Sequence, residues 1–178
     1  MYIRTPRLII RDYQSSDWQD LHEIFSDSAV MQKCEPAYTK DQTKTALAHF
    51  IEKSIAYAVV LAETGKIIGH ILFSQLPPPE ESGIYEIGWF FNRAYWRNGY
   101  AYEAAKTLID YGFGELKLHK ICAETIDPVI SVGLMKKLGM THEGTFRAHV
   151  KDPEGNWADV YWYAVCNPME VKHESIID

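Results

Sequence analysis

Near the middle of this sequence of 178 residues stands the stretch Trp96-Arg97-Asn98-Gly99-Tyr100-Ala101-Tyr102-Glu103-Ala104-Ala105. A run of strand-forming residues ends before it at about Phe91, and a helical period begins at about Gly99. The first turn of a helix has backbone N–H groups without intrahelical partners and carries the positive end of the helix dipole. Gly99 and Ala101 are small enough to let an anion reach those N–H groups. The stretch therefore indicates a strand, a loop and a helix N-terminus that can bind a phosphate.

A second interpretation of the same stretch is that Asn98-Gly99 forms a tight hairpin turn. The helical rather than strand-like period after Gly99 argues against it, but the residues alone leave both interpretations open. The glycine patterns GxGxxG and GxxxxGK[ST], which mark other phosphate-binding loops, do not occur in the sequence.

Apolar periodicity outward from this stretch predicts alternating strands and helices. After Gly99, the residues Ala101, Ala104, Ala105 and Leu108 recur at the spacing of a one-sided helix. In chain order we predict a strand at Leu8–Ile10, a helix from Ser16, a helix at Thr43–Ser54, strands at Tyr57–Leu61, Ile67–Ser74 and Ile84–Phe91, a helix from Gly99, a strand at Lys120–Ile126, a helix at Ser131–Leu138 and a last strand at Asp159–Cys166. This order predicts an α/β (α+β) fold, with a mixed, mostly antiparallel sheet and helices on both faces.

Length and charge limit the classes of partner. A chain of 178 residues suits one globular domain, spanning residues 1–178. The 24 acidic residues outnumber the 18 basic ones, for a formal charge of −6, whereas a duplex-binding protein needs a concentrated basic face. We therefore expect no nucleic acid partner. A small anionic ligand held by backbone N–H groups remains compatible with this charge.

Hydropathy and cysteine usage indicate the compartment. The longest apolar run, Ile55 to Ala62, is far too short to span a membrane, so we expect no membrane partner. The three cysteines, Cys34, Cys122 and Cys166, are widely spaced and odd in number, which favours a reducing, cytoplasmic location. The histidines lack the spacing of a metal site, so no metal is predicted.

Several motifs in a fixed order extend over nearly the whole chain. They are Thr5-Pro6-Arg7-Leu8-Ile9-Ile10-Arg11, Glu86-Ile87-Gly88-Trp89, the loop from Tyr95 to Ala104, Leu134-Met135-Lys136-Lys137-Leu138-Gly139-Met140 and Asp159-Val160. With these motifs the sequence resembles the GNAT acetyltransferases, and within them the RimJ/RimL-type ribosomal-protein N-terminal acetyltransferases. The resemblance implies the GNAT acyl-CoA N-acyltransferase fold, in which the central sheet is splayed in the middle.

The resemblance also implies acetyl-CoA as the co-substrate. Its pantetheine arm would lie in the gap between the strand around Glu86 to Phe91 and the strand around Ile121 to Ile126, with a bulge at Gly88 starting the splay. The residues implied in cofactor binding are Ile87, Gly88, Trp89, Phe90 and Phe91 on the strand and Trp96, Arg97, Asn98, Gly99, Tyr100, Ala101 and Tyr102 in the pyrophosphate loop. One departure is Pro128, which stands where the family usually has an Asn for the pantetheine arm.

Two residues are candidates for the chemistry. Glu86 matches an acidic position of the branch, and burial would raise its pKa toward the range of a general base. The alternative for Glu86 is a carboxylate paired with an Arg or solvated at the sheet edge. Ser131 matches the family position that would protonate the leaving thiolate, with Tyr100 as a more distant candidate. The alternative for Ser131 is a helix N-cap after Asp127-Pro128.

The function implied is an N-acetyltransferase in which a primary amine attacks acetyl-CoA directly. The acceptor would be a protein N-terminal α-amine or a small amine, and the loops at Met31 to Gln42 and Leu76 to Gly83 would determine which. The alternative is a non-catalytic acyl-CoA-binding sensor or subunit, which Pro128 keeps open. A strand-mediated homodimer is a further expectation at the level of the family.

Overall fold

A computed structural model of the chain describes residues 1–76 and 83–169. Its strands and helices are β1 (Tyr2–Arg4), β2 (Leu8–Asp12), α1 (Trp18–Phe25), α2 (Ser28–Met31), α3 (Lys40–Lys53), β3 (Ala56–Leu61), β4 (Ile67–Gln75), β5 (Ile84–Phe91), α4 (Tyr100–Gly114), β6 (Lys120–Thr125), α5 (Ile130–Lys137), β7 (Thr141–Lys151) and β8 (Trp157–Cys166). Every element predicted from the sequence is present, and β1, α2 and β7 are additional. Of the loop at 76–83, only Leu76 and Gly83 lie within the described residues.

The described strands form one sheet of eight in the order β1-β2-β3-β4-β5-β6-β8-β7. Neighbouring strands pair antiparallel, except for β5 and β6, which pair in parallel. The parallel pair requires a crossover connection, and α4 supplies it. This is the mixed sheet predicted from the order of elements.

Helices cover both faces of this sheet. On one face, which we call the α4 face, helices α4 and α5 pack on odd-numbered residues of β5 and β6, including Ile87, Phe91 and Ile121. On the opposite face, which we call the α1 face, α1, α2 and α3 cover the first half of the sheet through Leu21, Ile24, Phe25, Met31 and Leu47. Because side chains alternate along a strand, Glu86 lies on the α1 face and Ile87 on the α4 face.

Helix α4 lies close against the sheet. Its residues Ala104, Ala105 and Leu108 are fully buried, and a Cβ atom at Gly112 would come within 2.9 Å of the Ile121 side chain. Small residues on this stripe therefore allow the close approach. The N-terminus of α4 is held near the end of β5 as a result.

Strands β5 and β6 separate part of the way along their length. They pair only from Ile84 with Lys120 to Glu86 with Cys122, yet β5 continues to Phe91 and β6 to Thr125. The splay expected between these strands is therefore present. The predicted bulge at Gly88 is wrong, because the register of β4 and β5 runs without a shift through Leu72 and Gly88. The gap opens because β6 diverges from β5.

Candidate functional site

The loop before α4 has the backbone shape of an anion-binding turn. Arg97 and Gly99 both have positive φ, at 62° and 80°. The left-handed conformation carries little strain at Gly99 but is uncommon for Arg97. The first hydrogen bond of the helix joins Glu103 N–H to Gly99 C=O at 3.0 Å. The N–H groups of Tyr100, Ala101 and Tyr102 precede this bond and lie in the first turn, without partners inside the helix.

Side chains of the loop itself brace this turn. The Trp96 indole Nε1 donates a hydrogen bond to the Phe91 carbonyl at 2.7 Å, which ties the loop to the end of β5. The Asn98 amide donates to the carbonyls of Tyr95 and Trp96 at 3.2 and 3.0 Å. The side chains of Trp96 and Asn98 therefore stabilise the loop conformation. The groups that face outward at the helix N-terminus are backbone N–H groups.

The backbone of β5 faces the gap at alternate residues. Leu76 N–H bonds to the Ile84 carbonyl and Asn92 N–H to the Ile68 carbonyl, which fixes the alternation of the β4–β5 ladder. With this register the N–H and C=O groups of Ile87, Trp89 and Phe91 point away from β4, toward the side where β6 has separated. The backbone groups of Gly88 and Phe90 point to β4 instead.

The other two strand residues predicted for the cofactor, Gly88 and Phe90, are placed differently from Ile87, Trp89 and Phe91. The Phe90 ring packs on the α1 face, with its centroid 5.7 Å from that of Phe25. At Gly88 an added Cβ atom would meet only Leu72, at an ordinary 3.6 Å. Neither crowding nor backbone conformation therefore requires glycine at position 88, and its effect is to keep the α1 face open beside the gap.

Glu86 lies where β5 and β6 stop pairing. It is half-buried, and burial together with the negative charge of Glu124 raises its pKa. The strand register places Cys122 beside Glu86 and puts Glu124 two residues further along β6 on the same face. Burial raises the pKa of the Cys122 thiol to about 11. The charge that acts on Glu86 is thus another carboxylate, in contrast to the alternative of a pairing with an Arg.

The α1 face beside Glu86 is acidic and partly aromatic. Glu124 pairs across the sheet with Trp162, which in turn pairs with Gly144. A cavity of about 250 Å³ lies on this face, and it is lined by Glu143, Gly144, Phe146 and Trp162. On the loop after α2, desolvation and the negative charges of Glu35 and Glu124 raise the pKa of the exposed Cys34 thiol to about 11.

Ser131 lies in the first turn of α5, after the end of β6. Asp127 caps this helix, because its carboxylate accepts hydrogen bonds from the N–H groups of Val129, Ile130 and Ser131 at 3.0, 3.2 and 3.0 Å. Burial alone would raise the pKa of Asp127, but these bonds hold it below its ordinary value. The interpretation of Ser131 as the N-cap is therefore wrong, and its hydroxyl is not needed for capping. Pro128 lies in the exposed turn between Asp127 and the helix.

Three residues at the site were not identified from the sequence. Glu124 follows Cys122 by two positions in a strand, and this period of two was the available signal for a shared face with Glu86. Arg7 and Glu103 form an ion pair beside the loop, but they are 96 residues apart in the chain and only the fold brings them together. Over residues 1–76 and 83–169, no cluster of metal-ligating side chains occurs and no helix has the length and apolarity to cross a membrane.

Comparison with known proteins gives consistent matches. Residues 7–141 match the acetyltransferase (GNAT) domain family. The chain is 40% identical over 174 residues to YnaD of Bacillus subtilis (strain 168), named an uncharacterized N-acetyltransferase, with 93% of this chain and 96% of YnaD covered. A GNAT-family acetyltransferase from Bacillus anthracis superposes with a TM-score of 0.85 at 35% identity, over 94% of this chain and 99% of that one.

A more distant structure shares the fold. RimL, a ribosomal L7/L12 alpha-N-protein acetyltransferase solved with coenzyme A, superposes with a TM-score of 0.81 at 16% identity, over 93% of this chain and 98% of RimL.

Proposed function

The chain belongs to the GNAT family and is an N-acetyltransferase, and from that premise we propose that it transfers the acetyl group of acetyl-CoA to a primary amine by direct attack. We propose a RimJ/RimL-type acceptor, a protein N-terminal α-amine, with a small amine as the second acceptor class. The order of motifs from Thr5 to Val160 and the likeness of fold to RimL support this branch.

The observation that carries the proposal is the gap between β5 and β6. Pairing stops at Glu86 and Cys122, so the Ile87 carbonyl and the backbone groups of Trp89 face the gap. A pantetheine arm contains amide groups, which can extend the ladder of β5 in place of the lost strand. At one end of the gap lies the N-terminus of α4, and at the other lies Glu86. The gap thus joins a site for the pyrophosphate to a candidate base.

The pyrophosphate would bind to the loop 97–102. Backbone N–H groups in the first turn of α4 point out of the helix, and Gly99 and Ala101 leave room for a phosphate to approach them. A hydrogen bond to a charged group contributes about 1.5–3 kcal/mol, so three or four such bonds are enough to anchor the ligand without a lysine. This accounts for an anionic ligand on a protein with a formal charge of −6.

Glu86 would act as the general base, directly or through a water. The amine must lose its proton to attack, which at pH 7 costs about 4.6 kcal/mol for a lysine-like amine but only about 1 kcal/mol for an α-amine. Glu86 lies on the α1 face, the side of the gap that is open to an acceptor, and its raised pKa suits proton uptake.

The transfer itself balances without a further reactant. The amine nitrogen forms a bond to the thioester carbonyl carbon, the carbon–sulfur bond breaks, and the sulfur leaves as a thiolate. We propose that Ser131, whose hydroxyl is not used in capping α5, donates a proton or hydrogen bond to that thiolate. Glu86 takes the proton that the amine loses.

Acetyl transfer to a mixed pool of acceptors tests the proposal. The purified protein and acetyl-CoA would be incubated with N-terminal peptides and small amines, and the products would be read by intact mass. We expect one acetyl group on an α-amine. Acetyl-CoA binding without any product would favour the sensor or subunit alternative, and a failure to bind acetyl-CoA would contradict the role of residues 97–102.

A homodimer stays a proposal as well. Strand β7 is at the edge of the sheet and mostly exposed, with Phe146 at 50% and Val150 at 37%. An edge strand presents unpaired backbone groups, so we propose that any strand-mediated dimer would use β7. Analytical ultracentrifugation of the unaltered chain measures the oligomeric state.

A further inference from the structure

The turn between β1 and β2 contacts the loop that we propose to bind the pyrophosphate. From these contacts we infer that Arg7 is a positioning residue, which holds the loop 97–102 in its ligand-binding shape through Asn98 and Glu103. The inference rests on the proposed function, since it concerns the affinity for acetyl-CoA. It assigns a role to Arg7 that does not require contact with the ligand.

Arg7 makes three contacts at once with the loop and the first turn of α4. Its Nη1 donates a hydrogen bond to the Asn98 carbonyl at 2.9 Å, and its Nε donates to Glu103 Oε2 at 2.6 Å. Its guanidinium carbon lies 4.5 Å from the centroid of the Tyr100 ring. The planar guanidinium can satisfy two acceptors and stack on a ring in one orientation, which a lysine ammonium cannot do.

The contact with Asn98 fixes the direction of one peptide group. In a trans peptide the C=O and the following N–H point in opposite directions. Because the Asn98 carbonyl points to Arg7, the Gly99 N–H points away from it. The positive φ values of Arg97 and Gly99, on either side of Asn98, belong to the same turn, and successive N–H groups in such turns form anion-binding concavities.

Glu103 anchors Arg7 from the helix side. Besides the Arg7 side chain it accepts hydrogen bonds from the Thr5 hydroxyl at 2.5 Å and from the Arg7 backbone N–H at 3.3 Å, so three hydrogen bonds join the turn to the helix. Burial alone would raise the pKa of Glu103, but the bonds from Thr5 and Arg7 hold it below its ordinary value, so the carboxylate is ionised at neutral pH. The negative charge of Glu103 lies in the first turn of α4, where it disfavours an anion by Coulomb repulsion.

The negative charge of Glu103 makes it possible to distinguish a positioning role of Arg7 from a simple electrostatic attraction of the ligand by Arg7. If Arg7 acted as a free positive charge on the pyrophosphate, removal of the opposing Glu103 charge would strengthen binding. If Arg7 acts by positioning the loop, removal of its anchor weakens binding. The variants Arg7→Gln and Glu103→Gln therefore change acetyl-CoA affinity in the same direction under our inference and in opposite directions under the other.

The test measures acetyl-CoA affinity by titration calorimetry for the full chain and its variants. We expect Arg7→Gln and Glu103→Gln each to weaken binding by about tenfold, which is the loss expected for one charge-assisted hydrogen bond. Arg7→Lys, which keeps the charge, should weaken acetyl-CoA binding several-fold. The matched control is Arg4→Gln, because Arg4 is an exposed arginine on the preceding strand. In turnover assays the KM for acetyl-CoA should rise while kcat at saturation stays unchanged.

Hydrogen exchange gives a readout independent of activity. Without ligand, the Glu103 amide, which bonds to the Gly99 carbonyl at 3.0 Å, should exchange faster in Arg7→Lys and Arg7→Gln than in Arg4→Gln. Equal affinities for Arg7→Gln and Arg4→Gln, or tighter binding by Glu103→Gln, would overturn the inference and leave the proposed function standing. A failure of the unaltered protein to bind acetyl-CoA would overturn both.

Discussion

Glu86 shows how one residue obtains its properties from its position in the sheet. It stands at the last paired position of β5 and β6, so one side of it is packed and the other faces the gap. Burial disfavours its ionised form, and the carboxylate of Glu124 does so as well. Both effects raise the pKa, which gives a carboxylate that binds a proton more readily than a solvated one.

Removal of this carboxylate should abolish most of the catalysis. We expect Glu86→Gln to lower kcat at neutral pH by about 10²- to 10⁴-fold with a lysine-like small amine, the usual contribution of a general base, and by less with an α-amine, whose deprotonation costs only about 1 kcal/mol. Acetyl-CoA affinity by calorimetry should not change, because the Glu86 side chain lies on the α1 face and the loop 97–102 lies at the other end of the gap. Glu115→Gln, an exposed change at the end of α4, is the control. Full kcat at every pH in Glu86→Gln would exclude Glu86 as the base.

Glu124 should control the pH at which the base becomes active. Without its negative charge in Glu124→Gln, Glu86 ionises more easily, so its pKa falls and the acid limb of the kcat profile moves to lower pH. The other titratable groups near this pair include the buried Cys122 thiol, whose pKa burial raises to about 11, and the Lys120–Glu143 ion pair. A pH profile of kcat measures the shift. An acid limb that stays in place or moves to higher pH would show that Glu124 does not act on the base.

The burial of His70 predicts that the protein loses stability in mild acid. It is buried in a cluster of aromatic rings, bonded through Nδ1 to the Tyr13 hydroxyl at 3.0 Å. Burial lowers its pKa from 6.5 to about 3, so the folded state binds this proton less readily than the unfolded state. Its contribution to stability is complete above about pH 6.5 and decreases as the pH falls toward 3.

The free energy of unfolding should therefore fall on acidification by up to about 1.4 kcal/mol per pH unit because of this group. Urea unfolding of the unaltered chain and of His70→Phe, at several pH values below about 6.5, isolates the effect. The variant has a lower stability at neutral pH, because Tyr13 loses its partner, but its stability should depend less on pH. Parallel pH curves for the two proteins would contradict the prediction.

At the scale of elements, the start of α5 has one residue that serves stability and another that we propose for the chemistry. Asp127 bonds three N–H groups at its start, so Asp127→Ala should lower the free energy of unfolding by about 1–2 kcal/mol, the usual cost of a lost cap. Ser131→Ala removes only a hydroxyl and should change stability by less than about 0.5 kcal/mol while it lowers kcat. Urea unfolding and turnover of both variants check this. A destabilised Ser131→Ala with normal kcat would make the serine purely structural.

The same comparison of elements shows what the sequence could predict. Long segments with a clear period, such as β5 and α4, were predicted close to their observed bounds. Strand β7 was not predicted, although Phe146, Ala148 and Val150 alternate with polar residues in its second half, and this alternation was the available signal. Strand β1 and helix α2 are too short, at three and four residues, for any period to appear.

For the site, local motifs predicted what lies near in the chain. The loop before α4 and the acidic position Glu86 were each predicted from a few consecutive residues, and their roles in binding and catalysis stay predictions. The Arg7–Glu103 pair could not, because it joins the first turn of the chain to its central helix. The bulge expected at Gly88 was wrong for a similar reason: β6 makes the splay by leaving β5, and no local signal on β5 records that.

For the whole molecule, we propose that the sheet divides the two substrates between its faces. The N-terminus of α4 and the helices that cover Ile87 lie on one face, whereas Glu86 and the acidic, aromatic row with Trp162 lie on the other. The gap between β5 and β6 connects the two faces of the sheet. Under the proposed function, acetyl-CoA and the amine bind together, with the thioester in the gap and the amine on the α1 face.

This arrangement predicts sequential kinetics through a ternary complex. Burial raises the pKa of the Cys122 thiol to about 11, so it is not a thiolate at neutral pH and does not suit an acetyl-enzyme intermediate. Double-reciprocal plots at several fixed amine concentrations should give intersecting lines. In addition, the intact mass of the protein with acetyl-CoA alone should show no added acetyl group. Parallel lines, with an acetylated Cys122, would instead show that the acetyl group passes through the thiol before it reaches the amine.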